Sequence, residues 1–271
     1  MWRFVALFVA LVFGVLAAVW YYRAPNAGPV SVSTALPRAD DKWLDDLQSR
    51  APKEVEAATA ELERRGTSAL PLIRSTLQDA SVPPNRRKAA LKAAAILGPR
   101  AVEALPEVTA ALQQPDYAPE AALAMSFMGS PAVAPLREAI SSDEPAVRRE
   151  ALRSLGKLRE RASIDPQVVV PSLLDALRDP DASVRAVAVT YLGIVRDSPD
   201  KEVAGLIDAL KDQEPAVRVA AAVALSAYGP KAESAIPALQ KAANDPDDDV
   251  KREAGRALVI ISESKQKGVN P

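Results

Sequence analysis

The chain has 271 residues, with 34 basic and 35 acidic side chains, a formal net charge of −1, and neither histidine nor cysteine. That balance gives no support to general nucleic-acid binding, and the two missing residue types exclude disulfides, thiolate chemistry and the commonest general base and metal ligand. Apolar residues make up 48% but aromatics only 4%, so the core is built from alanine, leucine and valine, which suits thin layers of closely packed helices.

The uncharged run from Phe4 to Tyr22 lies between Arg3 and Arg23. As a helix at 1.5 Å per residue it spans roughly 28 Å, about one hydrocarbon core. Trp2 stands at one end and Trp20, Tyr21 and Tyr22 at the other, where aromatic rings favour the headgroup level. These features predict a single-pass transmembrane anchor over residues 1–23. A cleaved signal sequence is the competing reading, and the apolar run is long for one. The basic residues flanking the run are nearly tied in number; a short cytoplasmic tail and an extracytoplasmic body is the preferred orientation. Residues 24–39, with Pro25, Gly28, Pro29 and Pro37, show no helical periodicity and read as a flexible tether.

From residue 40 a repeat emerges. Asp179-Pro-Asp-Ala-Ser-Val184-Arg185 returns as Asp212-Gln-Glu-Pro-Ala-Val217-Arg218 and again as Asp245-Pro-Asp-Asp-Asp-Val250-Lys251, each step 33 residues. Ser142 to Arg148 is an earlier copy, and Asp79 to Arg86 and Gln114 to Glu120 are worn ones. Before each turn the apolar residues fall at helical spacing (Val203, Leu206, Ile207, Leu210), and after it they do so again (Val217, Ala221, Ala224, Leu225). Gly66, Gly98-Pro99, Gly129 and Gly229-Pro230 supply stop signals, where a left-handed glycine cap is expected. The pattern predicts an all-α solenoid of about seven helical hairpins over 40–262, and a disordered tail over 263–271. No single hairpin can bury its apolar face, so neighbours must stack.

The stretches Val170-Pro-Ser-Leu-Leu-Asp-Ala-Leu-Arg-Asp-Pro-Asp-Ala-Ser-Val-Arg and Val203-Ala-Gly-Leu-Ile-Asp-Ala-Leu-Lys-Asp resemble HEAT repeats, in the short bacterial form called PBS-lyase HEAT-like. The resemblance is specific from about Ser130 onward and implies an interaction scaffold. Two branches of that family are enzymes, a di-iron hydroxylase built on His–Glu pairs and the phycobilin lyases. The first cannot be carried over, because no histidine exists, and no residue here takes a catalytic role from the second.

The regular polar feature is Asp179 with Arg185, Asp212 with Arg218, and Asp245 with Lys251, always six apart. It reads as a structural ladder: the aspartate caps the second helix or holds the turn, and the basic residue reaches a neighbouring repeat. The acidic run Asp245, Asp247, Asp248 and Asp249 lacks the glycine-turned loop and distal glutamate of an EF-hand and reads as a helix N-terminal cluster. Candidate partner-binding residues are Tyr117, in a turn between Pro115 and Pro119, with Arg148 and Arg149. No catalytic constellation, phosphate loop, cofactor site or metal site is expected. The sequence therefore points to a membrane-tethered monomeric scaffold for a protein partner, without enzymatic activity. A HEAT-like lyase or chaperone assisting cofactor attachment to a client is the alternative.

Overall fold

The computed structural model describes residues 41–162 and 164–267. The expected anchor and tether lie outside the described residues. The chain divides into two units between Asp40 and Asp41, and every described helix belongs to the second. Among the described residues no helix is long and apolar enough to cross a membrane, and there are no strands.

Seven helical hairpins succeed one another along this unit. The first is α1 (Lys42–Asp46) with α2 (Pro52–Arg65), and the second is α3 (Leu70–Gln78) with α4 (Pro84–Leu97). Then come α5 (Leu105–Leu112) with α6 (Ala118–Met128), and α7 (Val133–Ala139) with α8 (Pro145–Ala162). The last three are α9 (Pro166–Ala176) with α10 (Ala182–Val195), α11 (Pro199–Ala209) with α12 (Pro215–Tyr228), and α13 (Ile236–Ala242) with α14 (Asp248–Lys267). Pro52, Pro84, Pro145, Pro166, Pro199 and Pro215 each open a helix, where the missing N–H costs no intrahelical bond. The final helix runs to Lys267, past the expected end at 262, because Gly268 is the first glycine or proline after Gly255.

The second helices of successive hairpins pack on one another from α2 to α14 and form the tighter wall, with the first helices behind them. Val147, Val184, Val217 and Val250 take one register in that wall, and all four are buried. Close approach rests on small residues. A methyl group on Gly156 would enter the Tyr191 ring, and one on Gly193 would stand 2.9 Å from the Ala224 Cα. Trp43 covers the first end of the stack, buried beneath Arg65, whose guanidinium carbon is 5.6 Å from the ring centroid.

The hairpin ends correct one expectation. Gly66, Gly98, Gly129 and Gly229 have φ between 55° and 84°. Their ψ lies between −126° and −155°, a region nearly closed to side-chain-bearing residues, and not the left-handed helical cap. The chain there swings into a short 3₁₀ turn leading to the next hairpin. The true left-handed residue is Arg196 after α10, at φ 49° and ψ 42°.

Candidate functional site

The ladder residues come together, but between repeats. Arg148 Nε and Nη2 donate to the two carboxylate oxygens of Asp179 at 2.8 and 2.7 Å. Arg185 holds Asp212 in the same way at 2.7 and 2.8 Å, and Arg218 holds Asp245 at 2.8 Å twice. The third guanidinium nitrogen of each arginine donates to carbonyls of its own turn: Ser142 and Asp143, Asp179 and Pro180, Asp212 and Gln213. Each aspartate also accepts the backbone N–H two residues on. One fork thus joins two inter-helix turns, with every strong donor and acceptor satisfied.

Of the two roles the sequence offered the aspartates, Asp179 and Asp245 take the second and hold the turn; the helix caps are Asp181 and Asp247, which accept from Ser183 and Val184 and from Asp249 and Val250. One detail differs from the sequence reading: the ladder begins at Arg148 and ends at Asp245. Lys251 pairs locally with Asp248 at 2.6 Å. The pairing changes the acidities in the direction it should. Burial alone would raise the Asp212 carboxyl, but Arg185 and the Glu214 N–H outweigh it and hold it low. Asp245 is lowered chiefly by Arg218.

The candidate binding residues fare differently. Arg148 is spent on the first rung, its side chain 11% exposed. Tyr117 is buried, because its own N–H bonds back to Gln114 and turns the ring inward beneath Arg87, 5.8 Å from the guanidinium carbon to the centroid. Arg149 remains on the open side, donating to Glu150 and to Ser183 Oγ. The acidic run is accounted for residue by residue: Asp245 by Arg218, Asp247 by its cap, Asp248 by Lys251 and Asp249 by Arg252. Among the described residues no group of three or more His, Cys, Asp or Glu side chains is arranged to hold a metal ion.

Sequence reasoning missed a buried polar pair at α11 and α12. Glu202 is fully buried; its carboxyl accepts from the Asp197 N–H at 3.3 Å and lies 2.8 Å from the Tyr228 hydroxyl. That hydroxyl is also 2.8 Å from the Leu192 carbonyl and is driven upward in pKa, first by burial and then by Glu202. Nothing in the 33-residue pattern marks it, since no other repeat carries the pair. A shallow cleft of about 490 Å³ between α3 and the turn before α5 is lined by Arg74, Gln78 and Glu103. Behind it, Arg74 and Gln78 donate to the buried Glu107 at 3.0 and 2.6 Å.

Residues 170–259 match the family of HEAT repeats, and residues 147–179 match the PBS lyase HEAT-like repeat. Residues 147–259 are HEAT repeats. No curated protein matches the sequence. Among solved structures, a chain from a structure of Kap95p binding RanGDP is similar at 14% identity and TM-score 0.63, over 85% of this chain and 34% of that one. Kap121p bound to RanGTP is similar at 16% identity and TM-score 0.60, over 82% of this chain and 28% of that one. A chain from the complex of CpcE and CpcF of phycocyanin lyase from Nostoc sp. PCC7120 aligns at 25% identity and TM-score 0.49, over 58% of this chain and 98% of that one. The HEAT array spans about a third of the two karyopherin chains, and the likeness bears on the fold.

Proposed function

We infer that the chain is a membrane-tethered scaffold whose HEAT array holds a protein partner and performs no chemistry of its own. The observation that carries this reading is how the conspicuous polar residues are used. The regular arginines and aspartates are consumed in joining repeats, and the open side of the second helices keeps side chains with no structural duty, such as Lys157. The tether and the apolar run from Phe4 to Tyr22 support attachment to a bilayer, with the array working as a single copy. The test is crosslinking of the full chain in native membranes. A discrete protein partner at fixed stoichiometry is expected; a chain found wholly outside the membrane fraction and without a partner overturns the reading. The match of residues 147–179 to the PBS lyase HEAT-like repeat favours one second reading, a lyase or chaperone assisting cofactor attachment. Its mark in the same experiment is a coloured small molecule retained with the purified chain.

A further inference from the structure

The second helices can be placed in register by the ladder position: Arg148 in α8, Arg185 in α10, Arg218 in α12 and Lys251 in α14. One, two, five and nine residues after it, the side chains fall on the side away from the first helices. In α8 they are Arg149, Glu150, Arg153 and Lys157. In α10 they become Ala186, Val187, Thr190 and Ile194, and in α12 Val219, Ala220, Val223 and Ala227. In α14 the first three are again Arg252, Glu253 and Arg256. The open face therefore has an apolar floor two repeats wide, on which Ile194 and Val223 are 42% and 48% exposed.

Both rims carry two arginines about a glutamate, but their charge balance differs. Glu150 lies between Arg149 and Arg153, and Glu253 between Arg252 and Arg256. Arg252 also pairs with Asp249 at 2.6 Å, so the excess positive charge lies on the first rim, while Arg252 and Arg256 stay exposed on the second. The first rim continues along the same face of α8 to Lys157 and Arg161. Arg161 reaches Ser126 Oγ and stacks on Phe127, whereas among the described residues the Lys157 ammonium has neither a hydrogen bond nor an ion pair. Burial, and then the like charges of Arg161 and Arg153, press the Lys157 ammonium toward the neutral form, and an incoming carboxylate would relieve that.

We propose that this face docks a partner segment with an apolar centre and acidic ends, its carboxylates meeting the Arg149–Arg153–Lys157 and Arg252–Arg256 rims and its apolar side chains lying on Ile194 and Val223. The proposal rests on the scaffold reading and names its surface and partner class. Three helix spacings of 8–10 Å separate the rims, so the segment spans roughly 24–30 Å. Apolar contact supplies affinity on such a face, and the rims supply orientation and speed of association.

Fluorescence anisotropy of the full chain in detergent with three labelled synthetic peptides tests this. The first has glutamate-rich ends and a leucine-valine centre, the second lysine-rich ends on the same centre, and the third glutamate-rich ends on a glycine-serine centre. The first is expected to bind best, and to weaken with added salt. Lys157→Glu and Ile194→Asp should each weaken it roughly tenfold, because one inverts a rim charge and the other places a charge on the floor. Lys241→Glu, on a first helix, should leave it unchanged. Equal binding of the lysine-ended peptide, no binding of the first, or indifference to both variants overturns the proposal. So does capture of phosphatidylserine vesicles through Lys157 in place of the peptide. If the crosslinked membrane partner stays on the Lys157→Glu/Ile194→Asp double variant, this surface is wrong while the scaffold reading stands; loss of any partner from the unaltered chain removes the scaffold itself.

Discussion

Hairpins four to seven and hairpins one to three solve the same problem in two ways. In the later set, each junction is closed by an arginine gripping the aspartate of the next turn, with side chains 8–12% exposed. In the earlier set every junction has its own device. Arg86 pairs with Asp45, and Lys92 donates to the Leu47 carbonyl. Lys88 meets Glu120 at 3.0 Å, and Arg87 donates to the Asp79 carbonyl of its own turn and lies over the Tyr117 ring where later repeats pair an arginine with a carboxylate. Between the third and fourth hairpins Ser154 donates to the Ala122 carbonyl at 2.8 Å. Stacked repeats must satisfy their turn backbones wherever they meet. Alike units reach one answer by repetition, and drifted units reach several. The HEAT matches begin at residue 147, where the ladder begins.

Removing a rung should show the largest effect. Asp212→Ala leaves Arg185 largely buried without its carboxylate and frees the Glu214 N–H, a loss of about 2–4 kcal/mol. Asp45→Ala breaks a pair whose acidic side chain is 52% exposed, and should cost less than about 1 kcal/mol. Denaturant midpoints of the full-length variants check the contrast. Equal losses would mean that the ladder is ornament and that the two halves are held alike.

Acid should discriminate the halves next. Asp212 and Asp245 are held below the ordinary carboxylate value, so their contribution is fully present above about 3.8 and is lost as pH falls through the folded-state values. Glu61, in α2, is held at about 2 by Arg64 and then Arg65, partners three and four residues along the same helix. The stability gap between the unaltered chain and Arg218→Ala should therefore narrow between about pH 6 and about pH 2. A gap that stays constant across that range would show that Asp245 does not owe its ionisation to Arg218.

The fold was open to sequence reading because its signals are local and repeated: proline at helix starts, glycine at hairpin ends, apolar residues at three and four. The ladder was legible as a motif but not as a pairing. Spacing of six shows Asp212 beside Arg218, whereas the bond runs from Arg185 to Asp212, and only stacking brings those two together. Tyr117 misled for a similar reason, since two prolines mark a turn without saying whether its aromatic ring points outward. The Glu202–Tyr228 pair left no signal, being 26 residues apart and present in one repeat.

Close packing gives the third contrast. Gly156 and Gly193 occupy one register position, eight after the ladder arginine, and Ser226 and Val259 follow at the same position. The series grows as the room grows, from the Tyr191 ring against Gly156 to a Val259 that no other described helix covers. Gly193→Ala places its methyl 2.9 Å from the Ala224 backbone and must push α10 and α12 apart, at a cost of about 1–3 kcal/mol. Unchanged stability, measured by thermal unfolding, would show that the junction yields freely.

The smallest effect is expected at Gly255, and it has the opposite sign. This residue sits inside α14, at an ordinary helical conformation, and a Cβ there meets nothing within 4 Å. The helix closes the array among the described residues, so the packing argument that requires Gly193 has no partner to act through here. Only backbone entropy remains: alanine narrows the unfolded ensemble and favours the helix, so Gly255→Ala should stabilise the chain by about 0.5–1 kcal/mol. Thermal unfolding beside Gly193→Ala reads both signs in one experiment. A loss at Gly255 would mean that something covers the outer face of α14 in the assembled protein, and that the last repeat is a junction like the ones before it.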